Sequence, residues 1–110
     1  MVMYIPDRGD IVWLQFNPQS GHEQAGRRPA LTLSPKAYNQ KAGLGIFCPI
    51  TSNYKGYPFE VKIETRLIKG VILSDQVKSL DWRIRNAEFI GKAKPEIVSD
   101  VLALLNTLIN

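Results

Sequence analysis

Fourteen Lys and Arg against ten Asp and Glu leave this 110-residue chain at +4 with a pI of about 9.4, and 45% hydrophobic residues give it enough apolar surface for one packed domain, residues 1–110. One cysteine, Cys48, excludes an intramolecular disulfide, and together with one histidine it excludes a zinc site of the usual Cys/His kind. No run approaches the roughly 18 apolar residues of a membrane span, and the N-terminus lacks the basic and apolar regions of a signal peptide, so the chain reads as soluble and cytoplasmic.

Asp10 to Phe16 is rich in β-branched and aromatic residues and reads as a buried strand, with Trp13 in its core. A polar loop follows from Asn17 to Arg28, long enough to carry function. Pro29 to Ser34 is the second strand, and Pro35 ends it. Lys36 to Ala42 forms a short helical turn closed by Gly43. Leu44 to Ile50 is a third strand, whose Pro49 argues for an edge or an exit from the sheet. In Phe59 to Glu64 the apolar Phe59, Val61 and Ile63 alternate with Glu60, Lys62 and Glu64, the pattern of a strand with one wet face. Val71 to Leu73, Gln76 to Leu80 and Ala87 to Ala93 are further strands. Pro95 suits the first position of a helix, and Ile97, Val98, Val101, Leu102, Leu104, Leu105, Leu108 and Ile109 then recur at helical spacing. The sum is a mainly β fold, a small barrel or curled sheet with a C-terminal helix.

Chemistry concentrates at Gly21-His22-Glu23-Gln24-Ala25-Gly26-Arg27-Arg28-Pro29. A guanidinium is planar, permanently charged and matched to phosphate oxygens, so arginines at a loop–strand junction suit a phosphodiester. There is no Gly-rich phosphate loop with its Lys-Ser/Thr, no His-Glu-x-x-His and no nucleophile elbow. Asp7 and Asp10 read as turn and cap residues rather than metal ligands. That inventory is compatible with metal-free RNA cleavage. There the ribose 2′-hydroxyl is the nucleophile, and the protein aligns it, neutralises charge and moves protons. A DNA strand lacks that hydroxyl.

In order along nearly the whole chain stand Gly9-Asp10-Ile11-Val12-Trp13, Phe16-x-Pro18, Gly21-x-Glu23-Gln24-x-Gly26, Arg28-Pro29-Ala30 with Leu33-Ser34-Pro35, Pro49-Ile50-Thr51, Lys55-Gly56-Tyr57-Pro58-Phe59-Glu60-Val61, and Asp75-Gln76-Val77-Lys78-Ser79 followed by Trp82-Arg83. The set resembles the MazF toxins, the MazF/PemK/Kid group. That resemblance implies an SH3-like β-barrel with a C-terminal helix, of the CcdB/Kid/MazF kind, acting as a homodimer without cofactor. It implies a sequence-specific, metal-independent mRNA interferase that cuts single-stranded RNA to a 2′,3′-cyclic phosphate and a 5′-hydroxyl, arresting growth. It also implies a cognate MazE-like antitoxin with a disordered acidic segment, and contact with DNA only through the antitoxin complex. Arg27 stands where some relatives have histidine, and Thr32 replaces an aliphatic residue.

The catalytic pair implied by the resemblance is Arg28 and Thr51, with Glu23 and His22 as further proton carriers. Each has a plainer reading: a structural ion pair for Arg28, a turn threonine, a solvated carboxylate, an exposed imidazole. By analogy with matching positions, Arg27, Asn39, Tyr54, Lys55, Gln76, Lys78 and Ser79 are expected to hold RNA, Lys78 through phosphate, while Tyr54 and Tyr57 either stack bases or are core-edge aromatics with wet hydroxyls. Arg83, Arg85, Lys92 and Lys94 form either a polyanion face or a solvated one. A gyrase-poisoning binder of the CcdB kind is the rival, although the CcdB branch's tryptophan near the C-terminus is missing from Leu104 to Asn110.

Overall fold

The computed structural model describes residues 3–16 and 26–110. Its strands are β1 (Asp10–Gln15), β2 (Arg27–Thr32), β3 (Gly45–Thr51), β4 (Glu60–Glu64), β5 (Lys69–Leu73), β6 (Lys78–Leu80) and β7 (Glu88–Lys92). Two helices join them among the described residues, α1 (Lys36–Ala42) and α2 (Pro95–Ile109). The strands form one antiparallel sheet in the order β4-β5-β3-β2-β1-β7, with β6 added to β3. It curls into a half-barrel with β4 and β7 at its ends.

Strand alternation gives the sheet a core on each face. Ile11, Leu31, Cys48, Ile50, Val61, Ile63 and Ile72 turn to one face, where Val98, Val101 and Leu105 of α2 cover them. Val12, Leu14, Ala30 and Phe47 turn to the other and pack on Leu80 and Trp82. Each fully buried Leu or Ile contributes about 1.5–3 kcal/mol, so loss of either cluster would unfold the sheet. Cys48 is a buried hydrophobe, and burial pushes its thiol up to about 12.

Pro95 opens α2 as expected. Its apolar stripe is wider than the face it buries: Leu102, Leu108 and Ile109 are 38%, 53% and 74% exposed. At α1, Gly43 takes a left-handed φ of 71°, and its N–H bonds the Asn39 carbonyl to close the helix.

Three expectations need correction. The arginines lie inside β2, because β1 pairs with the chain as far as Gln15↔Arg27, two residues before the expected strand start. Residues 17–25 of the expected loop lie outside the described residues. Pro49 is in the interior of β3 rather than at an edge. β3 pairs with β2 along one side, while on its other side it passes from β6 at Gly45–Phe47 to β5 at Ile50–Thr51. Pro49 falls in that gap, where a residue without an N–H is tolerated. Trp13 is half-buried rather than core, because its face of β1 carries the Arg27 side chain.

Candidate active site

Consecutive strand residues point to opposite faces, so the Arg27–Arg28 pair is split by β2 itself. Arg27 lies opposite Gln15, makes an ion pair with Glu88, and holds its guanidinium 5.9 Å from the centre of the Trp13 ring. Glu88 is itself registered with Trp13 across β1 and β7, which explains why the three meet. Arg28 lies opposite Leu14, exposed on the other face, with no ion-pair partner among the described residues.

The β2–β3 register pairs Ala30 with Pro49, and continued two residues it sets Arg28 across from Thr51. Both line an open cleft of about 450 Å³ with Asn53, Lys55, Tyr57, Glu60, Leu73, Asp75 and Gln76. They also share an adjoining depression with Pro29, Ser52 and Lys69. The Thr51 hydroxyl accepts the Asn53 N–H at 3.1 Å, which leaves its own proton free to be donated. Behind Thr51 the backbone of β5 comes very close. A Cβ on Gly70 would lie 2.3 Å from the Thr51 carbonyl oxygen, so only glycine fits there.

Asn53, Lys55 and Tyr57 line the cleft from the segment that follows β3. The Tyr57 hydroxyl donates to Asp75 Oδ2 at 2.8 Å. That hydrogen bond, and then the charge of Asp75, raises the Tyr57 phenol above its usual value. The Glu60 carboxylate accepts three backbone N–H groups, from Lys55, Gly56 and Tyr57.

The cleft therefore brings together Arg28, Thr51, Lys55 and Gln76 of the expected residues. Tyr54 is exposed in a neighbouring groove, its ring 5.4 Å from the Lys62 ammonium. Lys78 and Ser79 are exposed on β6 outside the cleft lining, and Lys78 Nζ sits 6.0 Å from the Phe16 ring centre. Glu23 and His22 lie outside the described residues.

Asn39 is corrected outright, being fully buried. Its amide donates to the carbonyls of Pro6 and Ser34 at 2.7 and 3.1 Å, its Oδ1 accepts from the Ser34 hydroxyl, and its backbone carbonyl accepts the Trp82 indole N–H. It ties the N-terminal segment, β2 and α1 together and has no reach to RNA. Arg83, Arg85, Lys92 and Lys94 form no single free patch: Arg85 holds the carbonyls of Gln15 and Phe16, Lys92 pairs with Asp10, and Arg83 lies over Trp82. Asp7 accepts the backbone N–H of Arg8 and Lys36, and Asp10 that of Asp7, the turn and cap roles expected of them. No three His, Cys, Asp or Glu side chains converge among the described residues. Sequence reasoning assigned no role to Asn53, Glu60 or Asp75; the last two stand in the motif blocks quoted above, which was their one signal.

A curled β-sheet with a C-terminal helix, holding an arginine and a threonine side by side in an open cleft, defines a small β protein able to grip a phosphodiester through charge and a donated hydrogen bond. The chain belongs to the PemK-like, MazF-like toxins of type II toxin–antitoxin systems, whose family model matches residues 7–109. It is similar to the endoribonuclease toxin MazF of Escherichia coli strain K12, at 48% identity over 106 residues and 96% of each chain. With the endoribonuclease toxin ChpB of the same strain it shares 40% identity, over 94% of this chain and 93% of that one. Among solved structures, MazF (Form-I) of Deinococcus radiodurans superposes with a TM-score of 0.88 at 52% identity, covering 97% of this chain and 98% of that one. The MazE–MazF (Form-II) crystal structure from the same organism gives 0.87 at 46% identity over 98% of each chain.

Proposed function

We propose that this chain is the endoribonuclease toxin of a type II toxin–antitoxin pair, a cytoplasmic mRNA interferase that cuts single-stranded RNA as a homodimer. The observation that carries the reading is Arg28 and Thr51 side by side on neighbouring strands in one cleft, the arginine without an ion pair among the described residues. The endoribonuclease names of relatives alike over nearly the whole chain support it.

The reaction needs no nucleophile from the protein. The ribose 2′-oxygen forms a bond to the adjacent phosphorus as the bond to the 5′-oxygen breaks, leaving a 2′,3′-cyclic phosphate and a 5′-hydroxyl. Negative charge grows on the non-bridging oxygens in between. Arg28 and the Thr51 hydroxyl proton meet that charge, and removing one such donor typically costs about 10²–10³ in rate. Arg28 remains protonated and acts on charge, not as a base. Proton transfer falls to the segment before β2, with Glu23 as acceptor and His22 as a second proton carrier. Lys55 and Gln76 hold the substrate within the cleft, Tyr54 stacks a flanking base, and Lys78 and Ser79 contact the backbone further out. The partner that silences the site is an antitoxin with a disordered acidic segment that folds on binding. Structures of MazE with MazF exist for relatives.

The test is incubation of the purified protein with a long single-stranded RNA in excess EDTA, with chemical mapping of the new ends. Discrete cuts bearing a cyclic phosphate and a 5′-hydroxyl, lost in Arg28→Ala and Thr51→Ala, are expected. A folded dimer that cuts no RNA overturns the reading and makes gyrase the next target.

A further inference from the structure

Glu60, the first residue of β4, turns its carboxylate back onto the segment that precedes it. Oε1 accepts the N–H of Gly56 at 3.0 Å and of Tyr57 at 3.1 Å, and Oε2 accepts that of Lys55 at 3.2 Å. Three consecutive N–H groups can converge on one carboxylate because Gly56, at a φ of +75°, bends the backbone around it. Such bonds to an ionised acceptor are about twice as strong as neutral ones. The side chains on this same stretch, Lys55 and Tyr57, line the same cleft as Arg28 and Thr51. Residues 53–58 have no strand partner of their own. Asn53 is tied to the Thr51 hydroxyl at the near end, and from Lys55 to Tyr57 the stretch is held by the Glu60 carboxylate, by the Glu60 N–H on the Tyr57 carbonyl, and by the Tyr57–Asp75 hydrogen bond.

We propose that Glu60 is a positioning residue for RNA cleavage: its carboxylate holds the Lys55–Tyr57 backbone so that this stretch meets the RNA in the reacting geometry. The inference rests on the RNA-cleaving reading above. Glu60 touches no reacting atom and acts through the segment it holds. It is half-exposed on a terminal strand of the sheet, so removing its charge leaves both hydrophobic clusters intact. A loosened stretch still admits RNA but no longer orients it, and misplacement by about an ångström costs on the order of 10² in rate.

The experiment uses the full chain and an RNA oligonucleotide spanning the first mapped cut, beside a copy carrying 2′-deoxyribose at the cut position to measure binding alone. Glu60→Ala is expected to lower kcat about tenfold or more while the Kd for the uncleavable copy moves less than about threefold. Glu60→Gln keeps the oxygen that accepts from Gly56 and Tyr57 and should recover most of the rate. Glu60→Asp keeps the charge but is too short, and should behave like alanine. If alanine proves unstable, the Gln–Asp contrast alone decides. In Glu60→Ala/Tyr57→Phe the losses should fall short of multiplying, because both act on one stretch. Wild-type cutting matched by Glu60→Ala, or glutamine no better than aspartate, overturns the assignment of Glu60 alone. A wild-type protein that cuts nothing overturns the RNase reading and this inference with it.

Discussion

The two consecutive arginines that open β2 face different worlds. Arg27 is neutralised by Glu88 and laid against Trp13, so its charge is committed to joining β2 to β7 across β1. Arg28, one residue on and on the opposite face, keeps its charge open in the cleft beside Thr51. Sequence proximity says nothing about which arginine meets a phosphate; the side of the strand does.

The largest separation between them is expected from alanine. Arg28→Ala should lower the cleavage rate by about 10³ with a thermal midpoint close to wild type, whereas Arg27→Ala should keep cleavage within about tenfold and lose the Glu88 contact instead. Comparable losses in both, read by the mapped-end assay, would erase the contrast. Asn39→Ala tests the opposite kind of residue. It leaves the carbonyls of Pro6 and Ser34 without their buried donor and should destabilise by about 2–4 kcal/mol in denaturant titration, with cleavage per folded molecule unchanged. A selective loss of RNA affinity there would restore it as a binding residue. Gly70→Ala presses on Thr51 from behind. It should cost about 1–3 kcal/mol and slow cleavage, and an unaltered rate would mean that the Thr51 backbone can move freely. The smallest effect concerns Tyr57, whose phenol is raised by its bond to Asp75. A raised folded value favours the protonated form, so this contribution is present below about pH 10 and fades as pH climbs through the folded value. Phenolate absorbance should show that group titrating nearer its ordinary value in Asp75→Asn; an unchanged curve refutes the bond.

How much of this could be read in advance depended on which physical signal each residue carries. Period-2 alternation announced β4 and its buried Val61 and Ile63, and Pro95 with the apolar repeat announced α2. The ordered motifs carried Arg28 and Thr51, and the β2–β3 register then brought them together without adjustment. Asn39, expected at the RNA by analogy with matching polar positions, is instead buried and bonded to Pro6, thirty-three residues away in the chain, a contact that no local pattern reveals. Arg27 stands off the cleft because alternation along β2 already starts at Arg27, a strand start that the sequence does not mark. Glu60 and Asp75 stood in quoted motifs without a role, since a carboxylate's partners are backbone N–H groups and a tyrosine hydroxyl that composition does not reveal.

β3 draws its neighbours from both directions along the chain: β2 comes before it, while β5 and β6 come after. A ribosome that has delivered Arg28 and Thr51 has therefore not yet delivered the strand that braces them, and the tyrosine–aspartate clasp waits for Asp75. A chain stopped short of Asp75 would carry both Arg28 and Thr51 and still have no complete cleft to hold them.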